Sequence, residues 1–206
     1  MVFSINMRTK KTAVVLISGK AGAGKTTVAN ILIDKLREIP SLSVFNYSFA
    51  NPIKHIAKAF MKWDEKKDEK GRKLLQSIGQ EGRNYNPEIW VLHLLTQMDR
   101  QAGTFPFNFV VIDDWRFPNE AAYLQSNPIL DIITIRVFGR KEDMPESTAS
   151  EVSENSLPEV DVEFIPNTIE GNHWYDFQIG NNGNLNELEN KLNIVLAEIS
   201  KQYIVE

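Results

Sequence analysis

Thr12-Ala13-Val14-Val15-Leu16-Ile17-Ser18, running without a break into Gly19-Lys20-Ala21-Gly22-Ala23-Gly24-Lys25-Thr26-Thr27, decides the reading of this chain. The segment up to Ser18 is almost wholly aliphatic and β-branched, as a strand buried on both faces of a parallel sheet requires. The segment after it matches G-x-x-x-x-G-K-[ST]. Glycines let the backbone turn tightly and aim successive N–H groups at an anion. A helix beginning near Lys25 adds the partial positive charge of its N-terminus. In that geometry Lys25 reaches the β and γ phosphates of a nucleoside triphosphate, and the Thr26 hydroxyl ligates Mg²⁺. Gly19, Lys20, Ala21, Gly22, Ala23, Gly24, Lys25, Thr26 and Thr27 therefore form the expected cradle for ATP and Mg²⁺. A ligand-free Gly-rich turn is the competing reading, and the strand before and helix after it weigh against that.

Outward from the cradle, the apolar pattern alternates between two periods. Val28, Ile31, Leu32, Leu36 and Ile39 recur at helical spacing, and Pro40 stops the helix. Residues 43–49 read as a strand, and Pro52 suits the first turn of a helix reaching Met61. Lys62 to Lys73 carries dense alternating charge, which reads as a solvated helix or loop. Leu74, Leu75 and Ile78 predict a helix ending near Gly82, and Pro87 opens another through Gln101, with Ile89, Leu92 and Met98 inward. Residues 109–113 and 131–138 are further strands, with a short helix at 119–125 between them. Residues 139–160 are polar and weakly periodic, an expected insertion. A last strand covers 174–180; Asn182-Gly183 turns the chain, and Asn184 with Glu187 resembles a capping box. Leu185, Leu188, Leu192, Val195, Ile199 and Tyr203 form the stripe of the closing helix. The alternation predicts one α/β domain over 1–206, a mainly parallel five-stranded sheet with helices on both faces.

Composition narrows the partners. A formal net charge of −4 argues against nucleic acid, since binding a phosphate backbone calls for a basic excess. With no Cys, disulfides, Cys-ligated zinc and thiol nucleophiles are excluded. His55, His93 and His173 are far apart and read as ordinary histidines. The apolar run Ala13 to Ile17 is too short for a signal segment, and no stretch approaches the ~18 apolar residues of a membrane span. A cytoplasmic protein without a membrane partner is expected, and a homodimer is left open.

Val110-Val111-Ile112-Asp113-Asp114 is an apolar strand ending in carboxylates, the Walker B shape. Successive strand side chains face opposite ways, so Asp113 and Asp114 cannot both serve one metal without a bulge. Both, with Thr26, are metal candidates. Arg116, two residues on, offers a planar fork suited to a phosphate. A guanine-reading N-K-x-D is absent, and the small size favours a kinase of small metabolites over a motor-type ATPase.

On these and other segments the chain resembles the bacteriophage-type deoxynucleoside monophosphate kinases, a P-loop kinase branch that is also similar to phosphomevalonate kinase. The likeness is carried by Ser48-Phe49-Ala50-Asn51-Pro52-Ile53-Lys54, by Leu74-Leu75-Gln76-Ser77-Ile78-Gly79-Gln80-Glu81-Gly82-Arg83, by Asp114-Trp115-Arg116-Phe117-Pro118-Asn119-Glu120, and by Ala149-Ser150-Glu151 with Asn182-Gly183. The resemblance implies phosphoryl transfer from ATP to a deoxynucleoside monophosphate, in the host cytoplasm if the protein is phage-encoded. It implies acceptor-binding helices over 50–103 and a lid over 139–160. Arg83 and Arg116 would hold the acceptor phosphate with Lys54 near it, and Asp114 would organise Mg²⁺ or the acceptor. Arg136 or Arg140 would neutralise the transferring phosphoryl, Arg140 being the catalytic candidate. Trp90, Tyr85 and Gln76 are candidates for holding a base. The alternatives are a P-loop kinase of another phosphorylated metabolite, such as phosphomevalonate, and a non-catalytic ATP-binding switch.

Overall fold

The computed structural model describes residues 4–5, 11–40, 42–102, 108–139, 156–157 and 175–205. In chain order the elements are β1 (Ser4–Ile5), β2 (Thr12–Ser18), α1 (Lys25–Arg37), β3 (Val44–Tyr47), α2 (Ala50–Met61), α3 (Glu69–Tyr85), α4 (Ile89–Ala102), β4 (Phe109–Ile112), α5 (Pro118–Gln125), β5 (Leu130–Phe138), β6 (Phe177–Gly180), α6 (Leu185–Tyr203) and β7 (Ile204–Val205). The five-stranded sheet has the order β3-β4-β2-β5-β6, and every pairing in it is parallel. Its central strand is β2, with Val14 level with Val110 on one side and Ile132 on the other.

Because strand side chains alternate, β2 feeds two separate cores. Val15 and Ile17 face α1 and α6, where they meet Val28, Leu32, Leu192 and Val195. Val14 and Leu16 face the opposite side, with Trp90, Leu94, Ile112, Trp115 and Leu124. Each fully buried aliphatic of this kind contributes about 2 kcal/mol. The apolar character of Thr12–Ser18 on both faces is thus the cost-free consequence of helices covering both faces. The five strands of this sheet point their C-terminal ends at one rim, which carries the loop from Gly19 to Thr26, Asp113 and the turn into α2.

Two expectations are corrected. α4 turns Trp90, Val91, Leu94 and Met98 inward and leaves Leu92 39% exposed, because the face that meets α3 begins at Trp90. Leu185, the first residue of α6, is 54% exposed, and the buried stripe begins at Leu188. The charged stretch divides into a loop and the start of α3, where Asp68 Oδ1 accepts from the Gly71 N–H at 2.8 Å. β1 and β7, too short to leave a period, join the two ends of the chain as an antiparallel pair. The Asn184–Glu187 cap is present, with the Glu187 N–H donating to Asn184 Oδ1 at 3.0 Å. The expected lid over 139–160 lies almost wholly outside the described residues.

Candidate nucleotide site

Between β2 and α1 the backbone adopts the conformations that demand glycine. Gly22 and Gly24 have φ of 80° and 95°, in the left-handed region where a Cβ is strained. Gly24 is also the N-cap of α1, and a Cβ there would sit 2.3 Å from Asn181 Nδ2. That amide donates to the Ala23 carbonyl at 3.0 Å, so the β6–α6 turn buttresses the loop from behind. The first turn of α1 contains no acidic side chain. Its positive end is therefore available to an anion. The Lys25 ammonium donates to the Gly19 and Lys20 carbonyls at 2.6 and 2.9 Å, folded over the loop.

The two carboxylates at the end of β4 part company. Asp113 accepts a hydrogen bond from the Thr26 hydroxyl at 2.7 Å. Asp114 turns the other way: its oxygens accept from Ser48 Oγ at 2.6 Å, Phe49 N–H at 3.0 Å and Ala50 N–H at 2.9 Å. It thereby satisfies the N-terminal donors of α2 and locks the β3–α2 turn to β4. Burial pushes its carboxyl above the ordinary range, partly offset by these three hydrogen bonds. Of the two metal candidates, only Asp113 is placed against Thr26.

A cavity of about 430 Å³ runs from this loop to the helices that follow β3. Ala21, Gly22, Lys25, Thr26 and Asp113 line its loop end, and Lys54, Gln76, Arg83 and Arg116 line the wall formed by α2, α3 and the β4–α5 turn. Thr27 is exposed in the first turn of α1, while Gly19 and Ala23 shape the loop without lining the cavity. Trp90 reaches the cavity but is only 5% exposed, and its Nε1–H donates to the Gly79 carbonyl at 3.0 Å. A Cβ on Gly82 would lie 2.3 Å from its ring, so Trp90 is chiefly the wedge between α3 and α4. Tyr85, at 87% exposure, lies away from the cavity. Arg136 is buried in β5 with its guanidinium 5.8 Å from the Tyr175 ring and does not line the cavity. Arg140 lies outside the described residues.

The string Arg116-Phe117-Pro118-Asn119-Glu120 acts as one device. Pro118 opens α5, and Asn119 Nδ2 donates to the Pro87 carbonyl and to Glu88 Oε2, both at 3.1 Å, tying the turn to the α3–α4 junction. Glu120 Oε2 accepts the backbone N–H groups of Arg116 and Phe117, both at 3.0 Å. The Arg83 guanidinium lies 4.1 Å over the Phe117 ring, a cation–π contact. Glu120 thus holds the turn that carries one arginine and the ring on which the other rests. Burial pushes its carboxyl up to about 7, against the pull of the two N–H groups and of Arg83. Burial lowers the Arg83 pKa, and the neighbouring Arg116 adds to that. Arg83 and Arg116 both line the cavity, Arg83 in a half-buried setting.

The sequence reading gives no individual role to Ser48, Lys67, Arg72, Phe117, Glu120 or Asn181, although Ser48, Phe117 and Glu120 lie in the segments that carry the resemblance. For Glu120 a signal existed, since a Glu at the third position after Phe117-Pro118 is a capping pattern. Lys67 and Arg72 had none, lying in a stretch whose composition reads as solvated.

No protein-family model and no curated protein matches the chain. Among solved structures it is similar to a Mycobacterium tuberculosis APS kinase, at 11% identity and TM-score 0.43, over 91% of this chain and 98% of that one. It is also similar to an unliganded sugar kinase from Janibacter sp., at 17% identity and TM-score 0.44, over 92% and 95% of the two chains. A hexameric APS kinase from Thiobacillus denitrificans aligns at 15% identity and TM-score 0.32, over 68% of this chain and 25% of that one. At these identities and scores, what can be said of function rests on the site's own geometry.

Proposed function

We propose that this protein is a P-loop kinase that transfers the γ-phosphoryl of ATP to the phosphate of a deoxynucleoside monophosphate. The observation that carries the reading is one cavity lined at one end by the glycine loop with Lys25 and at the other by Arg83 and Arg116, residues suited to hold two phosphates. An ATP-binding switch has no use for the second end. The nucleotide acceptor, as opposed to another phosphorylated metabolite, is supported by the sequence resemblance and by the uncharged middle of the wall at Ile53, Leu75, Gln76 and Trp90, where a base can be flanked.

The residues account for the chemistry. Backbone N–H groups of the loop and the N-terminus of α1 hold the donor phosphates, and Lys25 follows the charge that develops on the transferring group. Thr26 and Asp113, already within hydrogen-bond distance, are the donor set that would hold Mg²⁺. Among the described residues no cluster of three acidic or histidine side chains could hold a metal unaided, so the remaining ligands would be nucleotide oxygens and water. When bound, the ion offsets charge on the donor phosphates. Arg83 and Arg116 align an acceptor phosphate oxygen with the γ-phosphorus; the new P–O bond forms as the bridging P–O bond breaks, and ADP leaves. An acceptor phosphate is already ionised near neutral pH, so no general base is needed. Among the described residues no helix is long and apolar enough to cross a membrane.

A panel of ribo- and deoxynucleoside monophosphates, with ATP and Mg²⁺, tests the reading by ADP release. ADP formation that requires a nucleoside monophosphate and tracks formation of its diphosphate is the expected result. ATP binding with no acceptor-dependent turnover would favour the switch.

A further inference from the structure

The charged stretch before and into α3 is sorted, and the sorting bears on the acceptor. Every acid between residues 64 and 69 is committed: Asp64 to Lys66 at 3.0 Å, Glu65 to Lys58 at 2.7 Å, Asp68 to the Gly71 N–H at 2.8 Å, and Glu69 to Lys73 at 2.7 Å. Lys67 and Arg72 have no carboxylate partner among the described residues, and these two are the cations of the stretch that line the cavity. Their placement is built into the loop. Arg72 Nε donates to the Lys67 carbonyl at 2.9 Å, bracing the guanidinium of a residue that lines the cavity. Trp63 Nε1 donates to the Lys66 carbonyl at 3.0 Å, and a Cβ on Gly71 would lie 2.1 Å from that same carbonyl oxygen, so loop and helix fit closely.

Along α3 the cavity-lining residues are Arg72, Leu75, Gln76, Gly79 and Arg83, a single stripe at helical spacing. Its two arginines are about three turns, or about 16 Å, apart. Arg83 is seated on Phe117 and Arg72 on the Lys67 carbonyl, so each stays at its own end. One phosphate at Arg83 and Arg116 does not engage the second pair of cations.

We infer that the acceptor carries a second anionic group, held by Lys67 and Arg72 at the opposite end of the α3 stripe from its phosphate. This rests on the assignment of Arg83 and Arg116 to the acceptor phosphate made above. The second anion is borne by the base or by the sugar, and the shared chemistry is a doubly anionic nucleotide.

The test compares KM for thymidine 5′-monophosphate with KM for thymidine 3′,5′-bisphosphate and for 5-carboxy-2′-deoxyuridine 5′-monophosphate, at saturating ATP. At least one doubly anionic compound should show a KM tenfold or more below the parent. The bisphosphate identifies the sugar as the source, the carboxylated base the other. In Lys67→Gln and Arg72→Gln, each checked for an unchanged thermal midpoint, that advantage should shrink below twofold. Equal KM values for all three, or an advantage that survives both substitutions, would overturn the inference while leaving the kinase reading intact. Phosphomevalonate, a doubly anionic acceptor without a base, serves as the separating arm. Its use in place of any nucleotide keeps the second-anion site and removes the nucleotide; turnover of none of the four removes both.

Discussion

Around one cavity the glycine loop is shaped by its backbone, whereas the facing wall, proposed above to hold the acceptor, is built from side chains. The loop is a single contiguous segment whose conformation is set by Gly22 and Gly24, and only Lys25 and Thr26 contribute side-chain chemistry. The wall draws Lys54 from α2, Arg83 from α3 and Arg116 from the β4–α5 turn, and holds them with Glu120, Phe117 and Asn119. On the proposed function, a cradle of backbone N–H groups recognises an anion without regard to what carries it. Side chains on separate helices can be exchanged one at a time, and there an enzyme can choose its acceptor. Asp114 joins the halves: it belongs to β4 by sequence and to the N-terminus of α2 by hydrogen bonding.

The comparison can be broken from the donor side first. Lys25→Ala should lower kcat by about 10³-fold with a smaller change in nucleotide affinity, because its contact strengthens as charge develops. Single-turnover kinetics beside calorimetric ATP binding separates the two. On the acceptor side, Arg83→Ala and Arg116→Ala should each raise the acceptor KM by roughly 10²-fold, as loss of a charge-assisted phosphate contact does, with the ATP KM nearly unchanged. A matching rise in the ATP KM would show that the two halves are not separate.

Glu120 sharpens the contrast through pH. The folded protein holds to about pH 7 a proton that the unfolded chain releases near pH 4.5. The stability this confers is therefore fully present below 4.5 and is lost as pH rises through about 7. Denaturant titrations should show the wild type losing about 3 kcal/mol relative to Glu120→Gln between pH 4.5 and 8. The smallest effect is expected at the junction: Ser48→Ala removes one of three hydrogen bonds to Asp114 and should cost about 1 kcal/mol of stability. Because two N–H donors to Asp114 remain, the nucleotide Kd should stay within about threefold.

How much was legible follows the same division. The β2 strand, the loop and the start of α1 could be read because their signal is local: a doubly buried strand, obligatory glycines and a helix within a single stretch. The stripes of α1 and α6 were legible for the same reason, apart from Leu185 at the helix end. For α4 the stripe was misread at Leu92, since a helix touching both a sheet and another helix has no single apolar face. Trp90 was read as a candidate for holding a base; its indole N–H donates to the Gly79 carbonyl, a partner that no spacing in the sequence reveals.

By itself, then, the sequence determined the parallel α/β sheet and the glycine loop between β2 and α1, because strand and helix periods and glycine stereochemistry are properties of neighbouring residues. Strand alternation also required Asp113 and Asp114 to diverge. Only the tertiary structure decided which one meets Thr26, since that depends on which face of the sheet receives α1 and which receives α2. It likewise decided that Lys67 and Arg72, lost among alternating charges in the sequence, line the cavity, while Lys66 pairs with Asp64, Lys73 with Glu69 and Glu65 with Lys58. Charge partners are chosen by distance in space, and composition carries no record of distance.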